Sequence, residues 1–188
     1  MKRILLHCCC GPCAIYPLKM LTDDGYRVTG YFYNPNIHLY QEYAHRLSSY
    51  KKMAELYDLS ALQESEYGLK DFMVALNETK GDVYEPVSSS RCEICYRLRL
   101  EKTAEVCKGE GIKAFSTTLL VSPYQAHDII KQTGERIAET GGLDFVYADF
   151  RPGFRQGQRS AVEAGLYMQK YCGCVFSEYD RYGRREMK

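Results

Sequence analysis

The sequence lacks long hydrophobic runs, internal repeats and low-complexity segments. None of its apolar stretches approaches the roughly 20 residues that a membrane-spanning helix needs, so a helical membrane protein is excluded. The apolar stretch that follows Lys2 and Arg3 is too short for the core of a signal peptide. We therefore expect a cytoplasmic protein that has no membrane partner.

The chain also lacks a strong excess of either charge. Lys and Arg together number 25, and Asp and Glu number 24, which gives a net charge of +1. The net electrostatic field of the protein therefore does not attract a polyanionic partner. A nucleic-acid site must come from local basic patches. With 188 residues, of which 45% are apolar, the composition is that of an ordinary globular protein. We expect one domain over residues 1–188.

Cysteine, by contrast, is abundant and unevenly distributed. Eight of the nine cysteines fall into three clusters, at residues 8–13, 92–95 and 172–174. An odd count argues against a closed set of disulfides, and structural disulfides are rare in the cytoplasm. Clustered thiols in that compartment are typical of a metal centre, a redox couple, or both.

The hydrophobic pattern alternates between predicted strands and predicted helices. We predict strands at 3–7, 26–33, 61–63, 113–118 and 143–148, and helices at 14–21, 39–56, 69–76, 91–108, 126–140 and 160–170. This alternation predicts an α/β fold, a three-layer sandwich with a mainly parallel sheet of Rossmann-like type. Residues 179–188 are polar and basic, which is typical of a mobile tail.

The first thiol cluster directly follows the first predicted strand. In a doubly wound sheet, ligands bind at the carboxyl ends of the strands, which is where Cys8 to Cys13 would lie. Gly11 permits a tight turn, and Pro12 suits the first turn of the helix that follows. A helix N-terminus also favours the thiolate form of a nearby cysteine. This loop is therefore a candidate metal or redox site.

The second cluster places Cys92 and Cys95 three residues apart near the start of a predicted helix, so that both lie on one face. This spacing is common in zinc and iron–sulfur sites. Together with Cys9 and Cys10 they supply four thiolates, and the residues alone leave the metal open between zinc and iron–sulfur. The alternative is that some of these cysteines are small core residues, which is our prediction for Cys107.

The third cluster, Cys172-Gly173-Cys174, has a different chemistry. Two cysteines separated by one glycine close a small, strained ring when they oxidise, and strained disulfides are labile and redox-active. A third pair of metal ligands is the alternative interpretation.

Six stretches together resemble the QueH family of epoxyqueuosine reductases, the cobalamin-independent type. They are LLHCCCGPC at 5–13, YFYNPNIH at 31–38, RCEICYRLRL at 91–100, STTLLVSPYQ at 116–125, DFRPGFRQGQ at 149–158 and LYMQKYCGCVFSE at 166–178. They cover nearly the whole chain in the family's order. The family is similar to nucleotide α-hydrolase-like folds, with the thiol loop in place of a phosphate-binding loop.

The resemblance implies a cofactor, a redox couple and a reaction. A [4Fe–4S] cluster is implied on Cys9, Cys10, Cys92 and Cys95. A redox-active disulfide is implied between Cys172 and Cys174. The implied reaction is the last step of queuosine biosynthesis on tRNA, in which the epoxide of epoxyqueuosine loses its oxygen as water. Cys8 fills a position that varies in the motif, so it is not assigned as a ligand.

The chemistry of deoxygenation agrees with this set of residues. The reaction needs an electron source and an acid or Lewis acid on the leaving oxygen. A low-potential cluster supplies single electrons, and a pair of neighbouring thiols holds two. Cys13 is then left over beside the cluster loop. It either binds a second metal ion, an iron that polarises the epoxide oxygen, or packs as a small core residue. An external electron donor is required in either case.

A short basic and aromatic segment is the candidate tRNA contact. Arg151, Arg155 and Arg159 surround Phe154, a combination that suits phosphate contacts and base stacking. Tyr124, after a predicted strand, is a further candidate for base or sugar contact. An ordinary solvated surface is the alternative interpretation.

Two other classes of function compete with a tRNA-modifying iron–sulfur reductase. One is a zinc-stabilised nucleic-acid-binding module, in which the four thiolates are structural. The other is a thiol–disulfide oxidoreductase that acts on proteins through the third cluster. Two adjacent ligand cysteines at a strand end are unusual for a zinc ribbon, and no thioredoxin-like pair follows the first strand apart from the ligand pair. Both features favour the reductase.

Overall fold

A parallel sheet lies at the centre of the computed structural model, which describes residues 1–77 and 90–183. In these residues it has five strands: β1 at Lys2–His7, β2 at Tyr26–Phe32, β3 at Ser60–Gln63, β4 at Ala114–Thr117 and β5 at Asp144–Phe145. The strand order is β3-β2-β1-β4-β5, and every pair is parallel. The chain therefore reverses its direction of winding between β1 and β4, which is where such sheets place ligands.

The helices alternate with these strands. They are α1 at Gly11–Asp23, α2 at Tyr40–Leu56, α3 at Leu69–Asn77, α4 at Ser90–Gly109, α5 at His127–Gly141, α6 at Phe154–Glu163 and α7 at Val175–Tyr182. One group packs α1 against α2 and α6, and a second group packs α4 against α3 and α5. No helix in the described part of the chain is long and apolar enough to cross a membrane.

The central strand β1 is buried on both faces. Ile4, Leu5 and Leu6 are each fully inaccessible, and successive side chains of a strand point to opposite faces. Such a strand needs cover on both sides, as in a three-layer α/β fold. Burial of each of these side chains stabilises the folded state by on the order of 1.5–3 kcal/mol. The loop after β1 is thus anchored to a fully buried central strand, and the predicted fold class is confirmed.

The helix predicted at 160–170 is wrong in its position. Helix α6 begins at Phe154 and ends at Glu163, and Gly165 adopts a positive φ of 60° just beyond it. Pro152 lies in a 3-10 turn at Arg151–Gly153 that leads directly into α6. The helix therefore starts six residues earlier than the predicted start at residue 160. The predicted strand at 143–148 is also too long, because only Asp144–Phe145 form regular pairs with β4.

Part of the polar and basic tail predicted at 179–188 is helical. Residues 179–182 lie in α7, which the sequence pattern did not predict. This helix begins after Cys174, whose sulfur accepts a hydrogen bond from the backbone N–H of Ser177. Residues 184–188 lie outside the described part of the chain.

Candidate active site

The first thiol cluster forms a tight loop at the carboxyl end of β1. Cys10 is extended, with φ −174° and ψ 169°, and α1 begins at Gly11 with Pro12 in its first turn. The sulfur atoms of Cys9, Cys10 and Cys13 all lie within 4.8 Å of one another, and Cys9 Sγ is 3.8 Å from Cys10 Sγ. The structure therefore brings Cys13 into a group of three thiols that together offer three sulfur ligands to a metal.

Gly11 allows this loop to lie directly against α2. A Cβ atom at Gly11 would lie 2.8 Å from the carbonyl carbon of Ser49, and backbone atoms cannot move aside cheaply. We expect Gly11→Ala to lower the free energy of unfolding by about 1–3 kcal/mol, the usual cost of overpacking. It should also reduce the amount of bound metal, because the cysteine loop is displaced.

Gly109→Ala is the matched control for this substitution. Gly109 ends α4, and an added Cβ there meets no atom within 4 Å. The urea midpoint of this control should stay unchanged or rise, and metal content should stay at the wild-type level. Equal urea midpoints for Gly11→Ala and Gly109→Ala would show that the close approach of Gly11 to Ser49 does not limit the stability of the fold.

The pKa values of the three close thiols are shifted in different directions. The pKa of Cys9 lies well below its ordinary value because the thiols of Cys10 and Cys13, and then the Thr118 hydroxyl, hydrogen-bond to its sulfur. Burial holds the pKa of Cys10 well above its ordinary value. Hydrogen bonds to Cys10 and Cys9 likewise raise the pKa of Cys13. These interactions favour the thiolate form of Cys9 over those of Cys10 and Cys13, and binding of a metal by all three sulfurs would require each to lose its proton.

The neighbours of the loop explain why Cys8 differs from the others. Its sulfur is buried and donates to the carbonyl oxygen of Leu6, and burial raises its pKa. His7 is also fully buried, and burial lowers its pKa to about 4. Its Nε2–H donates to the Tyr33 carbonyl at 3.0 Å, which leaves Nδ1 to accept from the Thr117 hydroxyl at 2.9 Å. His7 is therefore a neutral structural residue beneath the loop.

Cys92 and Cys95 lie on the first turns of α4, as predicted. Cys95 is buried and Cys92 is partly exposed. Neither sulfur belongs to the group of three close sulfurs that the described residues form. Burial raises the pKa of Cys95, and the nearby positive charge of Arg99 opposes that rise.

Arg99 connects the thiol clusters electrostatically. Its Nη2 donates to Cys95 Sγ at 3.0 Å, and its Nε donates to the Cys95 carbonyl at 3.1 Å. Burial works to lower the pKa of Arg99, whereas the charges of Cys95, Cys172 and Cys9 raise it. One residue from each cluster therefore acts on the same guanidinium group.

Arg99 is also a buried charge that has no carboxylate partner within residues 1–77 and 90–183. Its side chain is 2% exposed, and none of the salt bridges in that part of the chain includes it. A buried cation is costly unless an anion compensates it. Among the residues that the structure describes, the sulfur of Cys95 accepts a hydrogen bond from Arg99 and can become an anion, so the site favours a thiolate there or a metal group that carries net negative charge.

The third cluster lies beside the same charges. Cys172 and Cys174 are both free thiols in the structure. Gln125 Nε2 donates to Cys172 Sγ at 3.6 Å, while its Oε1 accepts from the Tyr96 hydroxyl at 2.9 Å. Burial and then the charge of Cys174 raise the pKa of Cys172. Gly173 between them has φ +121°, a conformation that favours glycine.

The three predicted tRNA-contact arginines differ in their surroundings. Arg151 donates to both carboxylate oxygens of Asp149, at 2.8 and 2.6 Å, and this pairing lowers the pKa of Asp149 to about 2. Arg155 and Arg159 are exposed, one turn apart on α6. Near them Tyr124, which is 73% exposed, meets Phe154 edge to face. This surface presents two exposed arginine side chains beside two aromatic rings.

Sequence reasoning missed the polar side chains that surround the sulfurs. Gln169 Nε2 donates to Cys10 Sγ at 2.9 Å and to Cys13 Sγ at 3.3 Å. Arg99 and Arg46 are buried arginines whose roles are not visible in the hydrophobic pattern. A signal was present for Arg99, because it lies one helical turn after Cys95 on the face that carries that thiol.

The family of this chain follows from its similarity to known proteins. A family model described as epoxyqueuosine reductase QueH matches residues 4–180. Relatives named epoxyqueuosine reductase QueH include one from Dehalococcoides mccartyi, 34% identical over 97% of this chain and 96% of that protein. Another, from Thermotoga maritima, is 36% identical over 96% of this chain and 93% of that protein. A solved deacetylase structure from teicoplanin biosynthesis has a TM-score of 0.45 at 8% identity, over 87% of this chain and 83% of that one. The family match extends over almost the whole chain and includes all three thiol clusters, and the chain therefore belongs to the QueH family of epoxyqueuosine reductases.

Proposed function

We propose that this chain reduces epoxyqueuosine in tRNA to queuosine, as the last step of queuosine biosynthesis, and that residues 1–188 act as one catalytic domain. The observation that carries the proposal is the group of three sulfur atoms, from Cys9, Cys10 and Cys13, that lie within 4.8 Å of one another in a chain of this family. Cys9, Cys95 and Cys172 each act on the Arg99 guanidinium. Family membership supplies the substrate class, since the relatives are named epoxyqueuosine reductases.

The donor set at this site fits an iron–sulfur cofactor. Three sulfurs lie within 4.8 Å of one another, and the buried Arg99 needs a compensating negative charge. Cys9, Cys10, Cys92 and Cys95 would hold a [4Fe–4S] cluster, and Cys13 would be a ligand to a second iron beside it. When bound, such a cluster supplies electrons one at a time at low potential. Arg99 and Gln169 would donate hydrogen bonds to ligand sulfurs, which tunes the affinity for the cofactor.

The thiols of Cys172 and Cys174 can together supply two electrons and two protons. Conversion of the epoxide to the cyclopentene breaks both carbon–oxygen bonds, forms one carbon–carbon π bond and releases water. It consumes two electrons and two protons, which is what two thiols release when they form a disulfide. Burial raises the pKa of Cys172, so this thiol keeps its proton at neutral pH until the pair is oxidised. An external electron donor would then return the pair to the dithiol.

The substrate places the reaction in the cytoplasm, where tRNA is found. The exposed Arg155 and Arg159 would contact tRNA phosphates, and Tyr124 and Phe154 would stack on an unpaired base. Arg151 would add a weaker contact, because Asp149 already neutralises its charge.

We expect the double variant Arg155→Ala and Arg159→Ala to bind tRNA more weakly. Each lost phosphate contact should also flatten the dependence of log Kd on log salt by about 0.7–0.9, because fewer counterions are released. Filter binding across a salt series measures both quantities. Lys2→Ala with Arg27→Ala is the control of matched charge, since these residues lie at the amino end of the sheet. An unchanged salt slope in the Arg155 and Arg159 variant would place the tRNA surface elsewhere.

The proposed reaction is tested by nucleoside mass spectrometry. Anaerobically purified protein is incubated with tRNA that contains epoxyqueuosine and with a strong one-electron reductant, in the absence of cobalamin. We expect the modified nucleoside to lose one oxygen atom. Protein with a full content of iron and sulfide that leaves epoxyqueuosine intact would overturn the proposed function. If the reaction depended absolutely on added cobalamin, the proposed mechanism would be wrong, but the assignment of the substrate would stand.

A further inference from the structure

The loop that carries Cys172 and Cys174 is held in place by hydrogen bonds from one buried side chain. Arg46 lies on α2, and its side chain is 2% exposed. Its Nη1 donates to the carbonyl oxygen of Cys172 at 2.8 Å, and its Nη2 donates to that of Tyr171 at 2.9 Å. The guanidinium fork thus fixes two consecutive peptide groups of the thiol loop.

The orientation of Arg46 is itself fixed. Its Nε donates to Glu42 Oε1 at 2.7 Å, and the other carboxylate oxygen of Glu42 accepts from the Tyr167 hydroxyl. The guanidinium carbon also lies 5.6 Å from the centre of the Tyr171 ring. These contacts leave Arg46 little freedom to follow the thiol loop if that loop moves.

A third contact completes the restraint on the loop. The backbone N–H of His38 donates to the Gly173 carbonyl at 2.7 Å, and the Tyr171 hydroxyl donates to the His38 carbonyl at 2.6 Å. The carbonyls of Tyr171, Cys172 and Gly173 therefore all have partners. Gly173 is packed closely as well, because a Cβ there would lie 3.0 Å from Arg46 Nη1.

These contacts exist in the dithiol state, with both thiols free. A disulfide across a single glycine closes a small ring, and closing it must turn the peptide groups that Arg46 and His38 hold. The contacts that hold these peptide groups therefore stabilise the reduced pair relative to the oxidised pair.

We propose that Arg46 is a positioning residue that holds the Cys172–Cys174 loop in its dithiol conformation and so raises the reduction potential of this pair. The inference rests on the proposed function, in which these two thiols are a redox couple. Arg46 touches neither reacting sulfur, and it acts through the peptide groups that carry them. Its guanidinium fork is required, because the single nitrogen of a lysine ammonium group cannot occupy the separate positions from which Nη1 and Nη2 donate.

The test uses a peptide that the sequence provides. Trypsin cleavage after Lys170 and Arg181 releases residues 171–181, which contain Cys172 and Cys174 and no other cysteine. The purified protein is equilibrated without oxygen in buffers of oxidised and reduced glutathione, quenched in acid, alkylated and digested. One oxidised glutathione takes two electrons from the two thiols and becomes two reduced glutathione molecules. Mass spectrometry gives the ratio of disulfide to dithiol in this peptide.

We expect Arg46→Met to raise the ratio of disulfide to dithiol about tenfold at a fixed glutathione poise, which equals a potential about 30 mV lower. Arg46→Lys should behave like Arg46→Met, because it keeps the charge and loses the fork. Arg97→Met is the matched control, since Arg97 pairs with Glu101 one turn away on α4 but faces solvent. This control should keep the wild-type ratio.

Arg46→Met leaves the carboxylate of Glu42 without its cation, which destabilises the fold. The double variant Glu42→Gln and Arg46→Met avoids a lone buried charge and should show the same shift. A ratio within twofold of wild type in Arg46→Met or in the double variant overturns the inference, and so does a wild-type ratio in Arg46→Lys. A wild-type peptide that stays a dithiol at every poise overturns the redox couple of the proposed function, and the inference with it.

Discussion

Serine at position 9, 10, 92 or 95 is expected to leave the protein without an iron–sulfur chromophore and without measurable reductase activity. A hydroxyl is a poor ligand to iron compared with a thiolate, so one lost ligand exposes the cluster to loss. Cys95→Ser should have the clearest effect, because Arg99 donates directly to the Cys95 sulfur and would then face a neutral hydroxyl. Iron and sulfide analysis, together with the visible absorbance of anaerobically purified variants, measures the result.

Cys107→Ser is the matched control for these ligand variants. Cys107 is a buried thiol on α4 whose sulfur donates to the Ile112 carbonyl at 3.3 Å, a hydrogen bond that a hydroxyl can also make. Iron, sulfide and activity should remain at wild-type levels in this variant. Full iron and sulfide content in any three of the four ligand variants would show that the proposed ligand set is wrong.

The second large effect concerns the third thiol cluster. Cys172→Ser and Cys174→Ser should each keep the full iron and sulfide content and lose reduction over many turnovers. The reason is that one remaining thiol cannot store two electrons, whereas the proposed cofactor ligands lie on other elements. Thiol titration of denatured wild-type protein should find two fewer free thiols after oxidation in air than after reduction. Loss of iron in either variant would instead identify that residue as a ligand.

The position of the first thiol loop could be predicted from the sequence because its signals are local. A short apolar run followed by Gly11 and Pro12 indicates a buried strand that turns into a helix, and β1 and α1 have that arrangement. Parallel sheets place such loops at one edge, so the carboxyl end of β1 was identified as the site. The prediction of the candidate site therefore needed no knowledge of long-range contacts.

The helices near the carboxyl terminus were harder to predict because their boundaries depend on tertiary contacts. A Cβ at Gly153, which directly precedes α6, would overlap the Tyr16 ring on α1, and α6 packs closely on α1. Gly153 is therefore a packing position at the start of this short helix. Helix α7 begins at Cys174, which accepts a hydrogen bond as its N-cap, a role in which cysteine is uncommon.

The charges around the sulfurs could not be predicted from periodicity. Arg46 and Arg99 occupy buried faces of α2 and α4, where a hydrophobic pattern would place apolar side chains. Their burial is tolerated because sulfur and oxygen atoms, some on the same helix and some on distant segments, accept their hydrogen bonds. Arg46 reaches the carbonyl of Cys172, 126 positions away in the sequence. Only the folded chain brings these groups together.

A single-turnover experiment tests the central claim that the three thiol clusters form one site for two-electron reduction. Protein reduced without oxygen and then freed of the reductant is mixed with excess tRNA that contains epoxyqueuosine, and the nucleosides are quantified by mass spectrometry. We predict at least one queuosine per wild-type molecule and a clear loss of that product in the double variant Cys172→Ser and Cys174→Ser. Formation of queuosine in equal amounts by the wild type and this double variant, at equal iron and sulfide content, would contradict the claim.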